Sequence, residues 1–105
     1  MKVRNINGTS DSPDCPCGTW LKHYENYSGI DTPACAESSC VENAEVGAHV
    51  QKMDKDDRSW YIVPLCKKHN GLHGQVLDIL DVFPLVPVTD RKKCKAKPEK
   101  NGSLN

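Results

Sequence analysis

Four residues at fixed spacing constrain this chain more than anything else in it. Cys35-Ala-Glu-Ser-Ser-Cys40 sets two thiols with four residues between them, and after about two dozen residues shaped like a hairpin comes Cys66-Lys-Lys-His69. Each close pair can span neighbouring corners of a tetrahedron, and the intervening segment need only fold back to bring the pairs together. Cys35, Cys40, Cys66 and His69 therefore read as the ligands of one Zn²⁺. Three thiolates and a neutral imidazole leave such a centre with one net negative charge and no corner open for water, which points to a structural ion.

Composition argues the same way. A chain of 105 residues makes one domain with a modest core, and a single phenylalanine with two tryptophans gives that core few large side chains. Domains this short of hydrophobes are usually stapled, by metal or by disulfides. Met1-Lys-Val-Arg-Asn-Ile-Asn-Gly carries no apolar signal-peptide region, so a cytoplasmic, reducing setting is expected, and it favours metal over disulfides. The sequons at Asn7, Asn26 and Asn101 then read as chance. No apolar run reaches membrane-spanning length, so no membrane association is expected.

The zero net charge conceals an asymmetry: residues 1–90 hold 8 Lys/Arg against 13 Asp/Glu, whereas residues 91–105 hold 6 against 1. An acidic body is a poor footprint for duplex DNA, and the basic tail offers at most weak nucleic-acid contact. The chain divides accordingly into a flexible N-terminal segment (1–14), a zinc-binding domain (15–90) and a basic tail (91–105).

Within the domain, Thr19 reads as the N-cap of a helix whose Trp20, Tyr24 and Tyr27 share one face, with Ser28-Gly29 as its stop. Val46–Met53 reads as a strand with Val46, Ala48 and Val50 on one face and His49 and Gln51 on the other. Asp54–Arg58 turns the chain, and Trp60–Leu65 returns, with Pro64 marking the end of the strand. Cys66 and His69 then open a helix whose apolar stripe is Leu72, Val76, Leu80 and Phe83.

Knuckle, hairpin and a helix bearing the last two ligands resemble a treble-clef zinc finger, and thus a small α+β fold with an added N-terminal helix. His49 on the first hairpin strand, with Pro64-Leu65-Cys66 and Lys-Lys-His69-Asn70 following, resembles the HNH or His-Me finger arrangement over residues 35–73. Cys15-Pro-Cys17-Gly-Thr-Trp and Gly47-Ala-His-Val are also similar to stretches of small uncharacterised bacterial zinc-binding proteins. The HNH resemblance implies an endonuclease with His49 as general base and Asn70 as a ligand of a catalytic cation. Two positions depart from that family: Ala48 stands where an acid or histidine is needed, and Tyr61 where an asparagine orients the base. The reading favoured here is therefore a non-catalytic binding or structural module that meets a protein or nucleic-acid partner, with the metal-dependent nuclease as its alternative.

Three thiols remain. Cys15, Cys17 and Cys94, with His23 one helical turn above Thr19, would complete a second zinc site if the tail folds back. His49 is the alternative fourth ligand, and a free Cys94 thiol is the rival reading.

Overall fold

The computed structural model describes residues 1–6, 18–72 and 74–89. Its frame is the hairpin. Strand β2 (Val46–Lys52) pairs antiparallel with β3 (Tyr61–Leu65), in a register that sets Ala48 opposite Val63 and His49 opposite Ile62. Because successive side chains alternate across a strand, Ala48, Val50, Val63 and Leu65 share one face while Gly47, His49 and Ile62 share the other.

Pro64, expected to end the return strand, sits inside β3 opposite Gly47. Its carbonyl accepts from Ala36 N, so its main-chain groups point away from β2, and the missing N–H costs the hairpin no ladder bond. Beyond the hairpin the sheet grows on both sides to the order β4-β1-β2-β3-β5, every pair antiparallel. Here β1 is Lys2–Asn5, β4 is Val76–Asp78 and β5 is Val86–Pro87.

Two of these strands correct the sequence reading. Of the segment 1–14, expected to be flexible, Lys2–Asn5 lies between β4 and β2 with Val3 and Asn5 fully buried, and residues 7–14 lie outside the described residues. The domain thus includes a strand upstream of residue 15. The inward pair is one valine and one asparagine, a pattern too polar to announce a strand.

The helix expected from Cys66 to Phe83 is one turn long: α2 is Lys67–Asn70. Gly71 and Gly74 (φ +76°) release the chain, which then runs as β4. The stripe chosen for the helix is the wet one, since Leu72, Val76 and Leu80 are all more than 40% exposed. Leu77 and Ile79, two apart as in a strand, are the buried pair.

Helix α1 (Trp20–Ser28) matches its sequence signals. Thr19 Oγ1 accepts from Lys22 N at 3.1 Å, and Gly29 closes the helix in the left-handed region at φ 78°, its N–H donating to Glu25 O. The helix lies on the His49 face of the sheet. Trp20 and Tyr24 pack there against Ile62 and Val86, and the Tyr24 hydroxyl donates to Pro84 O. The opposite face carries the larger core, in which Val3, Val50, Val63, Leu65, Leu77 and Ile79 meet Cys35, Ala36 and Cys66. The three cysteines and His69 of the 35–69 stretch thereby lie on one face of the sheet, and α1 on the other. Among the described residues no helix is long and apolar enough to cross a membrane.

Candidate metal centre

The knuckle is built by main-chain bonds. Cys35 N donates to Glu42 O at 2.8 Å, and Cys40 N donates to Glu37 O at 3.0 Å, which turns the two thiols the same way. Glu42 N also donates to Cys40 Sγ at 3.4 Å. From the other side, β3 delivers Cys66 as the N-cap residue of α2, and His69 follows one turn on.

So short a helix needs holding at both ends. At its start Lys67 N donates to the Glu45 carboxylate at 3.0 Å, where the free N–H groups of a helix favour an anion. At its end Asn5 Nδ2, reaching up from β1, donates to Asn70 O at 2.8 Å and lies 3.3–3.4 Å from the carbonyls of Leu72 and His69. Neither residue was singled out from sequence. A carboxylate one place before a strand and an asparagine some sixty residues away carry no local signal.

The result is a cluster in which Cys35, Cys40, Cys66 and His69 each offer one ligand atom, all within 4.8 Å of one another. Cys66 Sγ lies 3.2 Å from His69 Nδ1, Cys35 Sγ 3.7 Å from the same nitrogen, and Cys40 Sγ 3.9 Å from Cys66 Sγ. Bonds of about 2.3 Å to sulfur and about 2.0 Å to nitrogen in a tetrahedron imply edges of roughly 3.8 Å between sulfurs and roughly 3.5 Å from sulfur to nitrogen. These three separations lie close to those edges, and 3.9 Å between the Cys40 and Cys66 sulfurs is far from the roughly 2.05 Å of a disulfide.

The electrostatics of the cluster differ from thiol to thiol. Burial pushes the Cys35 thiol up to about 12. At Cys66 burial pushes the same way, but the backbone N–H and ring of His69, with the Cys35 and Cys40 thiols, outweigh it and bring the thiol down to about 7. Three thiolates crowded into a partly buried cluster are unfavourable without positive charge between them, and a divalent ion supplies it. The four residues thus fit one metal ion and leave it no protein-free corner. Cys40 is the least buried of the three thiols, and with Cys66 and His69 it lines an open cleft of about 470 Å³ whose walls include Val41, Glu42, Glu45 and Lys68.

The other candidate residues fall elsewhere. His49 is 4% exposed, on the α1 face, with its ring edge-to-face with both Trp20 (4.7 Å between centroids) and Trp60 (5.7 Å). Its Nδ1 has no hydrogen-bond partner among the described residues, and burial pushes its pKa down to about 4. His49 is not open to solvent on its strand face, because α1 covers that side of β2. Asn70 ends α2 against Asn5, whose side chain belongs to the opposite face, so the sheet separates His49 from Asn70.

His23 is fully buried, stacked on Tyr27 at 4.5 Å and edge-on to Trp20, with Nε2 3.4 Å from Pro87 O. Cys15, Cys17 and Cys94, its expected partners in a second site, lie outside the described residues, as does the tail 91–105.

Comparison of the chain with protein-family models, with curated proteins and with solved structures finds no match.

Proposed function

We propose that the protein is a zinc-stabilised binding or structural module of treble-clef type, without catalytic activity. The observation that carries this reading is the Cys35–Cys40–Cys66–His69 cluster, whose four ligand atoms lie close enough together to hold one metal ion. Three sulfurs and one imidazole nitrogen at tetrahedral spacing suit Zn²⁺ above harder cations, and four protein ligands leave no position for a reacting water. The order of knuckle, β2–β3 hairpin and α2 is the treble-clef order, with the helix cut to one turn.

Against the HNH nuclease alternative stand the two sides of the sheet. His49 is enclosed by Trp20 and Trp60, is a weak base at neutral pH, and has Ala48 beside it where a metal ligand would be required. The module's work is then to present surface to a protein or nucleic-acid partner, with the basic tail adding weak, salt-sensitive contact to phosphate.

A second zinc at Cys15, Cys17, His23 and Cys94 extends the proposal. Ile6 N donates to His49 O just before residues 7–17, and Trp20 packs on His49 just after them. Val88 N donates to Trp60 O shortly before the tail. The described residues that flank these stretches thus lie beside His49 and Trp60, and the Nδ1 of His49, without a hydrogen-bond partner among the described residues, supports it as the alternative fourth ligand.

Native mass spectrometry of the metal-loaded chain tests both parts. Two zinc ions are expected, falling to one in Cys94→Ser. A count of one in the wild type removes the second site, and a count of zero removes the whole reading.

A further inference from the structure

Between the two knuckle thiols stands a residue that the ligand spacing does not explain. Glu37 turns its carboxylate inward over the cluster, with its side chain only 14% exposed. It is held there: Oε1 accepts from Ser39 N at 2.8 Å and from Ser39 Oγ at 2.6 Å. Its main chain is also pinned, the carbonyl accepting from Cys40 N and the residue bridging to Ile79.

The same Oε1 lies 3.7 Å from His69 Nε2, while His69 Nδ1 is turned to the sulfurs of Cys35 and Cys66. An imidazole bound to metal through one nitrogen carries its proton on the other, and the acceptor for that proton selects the tautomer and holds the ring.

We infer that Glu37 is the positioning residue of the metal centre, accepting the Nε2–H of His69 so that Nδ1 is presented to the ion. This rests on the metal reading above and deepens it. At 3.7 Å the pair is a contact rather than a formed hydrogen bond, and the role assigned to Glu37 requires it to shorten in the metal-bound chain, while Ser39 keeps the carboxylate from swinging out to water. Glu37 also ties the ligands to one another, since its carbonyl orients Cys40 and its carboxylate orients His69. A neutral imidazole donating to a carboxylate becomes a stronger ligand, which strengthens a site already carrying three thiolates.

The test compares wild type, Glu37→Gln and Glu37→Ala in the full chain, with Zn²⁺ as the probe. Zinc affinity is measured by competition with a chromogenic chelator, and the His69 ring by long-range ¹H–¹⁵N spectra. The expected pattern is a loss of about ten- to a hundredfold in affinity for Glu37→Ala, with Glu37→Gln between it and wild type. In wild type Nδ1 carries the metal-bound shift and the Nε2 proton is seen. In Glu37→Gln that proton moves upfield, because a neutral amide oxygen is a weaker acceptor, and in Glu37→Ala it is lost to exchange. Glu37→Gln keeps the shape of the side chain, so its ring proton reads the interaction even where the alanine variant fails to fold. An unmoved Nε2 proton in Glu37→Gln, or metal bound through Nε2, overturns the inference while leaving the metal centre standing. A wild type that takes up no zinc overturns the metal reading itself.

Discussion

Gly47 of β2 lies against the first turn of α1 so closely that a Cβ on it would stand 2.6 Å from both Trp20 O and Leu21 N. Both obstacles are backbone, which cannot swing aside as a side chain would. The missing side chain is what lets α1 approach the sheet and lets Trp20 cover His49.

Gly47→Ala is therefore expected to push α1 away and destabilise the fold by about 2–3 kcal/mol, in the range of overpacking at a close contact. Denaturant unfolding monitored by tryptophan fluorescence checks it. An unchanged midpoint would mean that the approach is looser than described.

Removing the metal is expected to cost far more. Where binding energy is folding energy, a structural zinc contributes on the order of 10 kcal/mol. Cys66→Ser, or excess chelator on the wild type, should collapse amide dispersion in the ¹H–¹⁵N spectrum, because the ion would cross-link the knuckle to α2, a helix of a single turn. A chain that keeps its dispersion after the ion is shown to be gone would sink the structural role.

At the hairpin turn, Tyr61 OH donates to Asp57 Oδ2 at 2.6 Å, and Lys52 Nζ lies 3.3 Å from the same oxygen. The tyrosine hydroxyl first, then the Ser59 N–H and hydroxyl and the Lys52 ammonium, hold the Asp57 carboxyl well below its ordinary value of 3.8. A depressed folded-state pKa means that the unfolded chain binds the proton first. The contribution is present above the ordinary value and fades as pH falls through the folded one. Tyr61→Phe should raise the Asp57 pKa towards 3.8, read from its carboxyl ¹³C titration. An unchanged titration would remove the hydroxyl as the main cause.

No nicking of supercoiled plasmid is expected with Mg²⁺, Mn²⁺, Ni²⁺ or added Zn²⁺, and none that depends on His49. The imidazole is walled in by Trp20 and Trp60, and the sheet stands between it and Asn70. Metal-dependent cleavage that vanishes in His49→Ala would restore the nuclease reading. Any binding to DNA at low salt should vanish when residues 91–105 are deleted.

What could be read from the chain by itself was whatever a short stretch encodes on its own. The Thr19 cap and Gly29 stop delimit α1, the alternation in Val46–Lys52 writes its own strand, and Cys35-x4-Cys40 with Cys66-x2-His69 names the four residues that come close enough to hold a metal ion. Tertiary structure decided the rest, because the deciding partners lie far apart in the chain. Val76-Leu-Asp-Ile-Leu80 suits a helix of period 3.6 as well as a strand of period 2. What settles it is Lys2–Asn5, more than seventy residues upstream, which offers an open ladder and a face on which Leu77 and Ile79 can be buried. The same strand brings Asn5 to the end of α2, so that a one-turn helix has its last carbonyls satisfied. His49 was readable as a strand residue but not as a buried one, since only the docking of Trp20 over Gly47 takes its ring out of water.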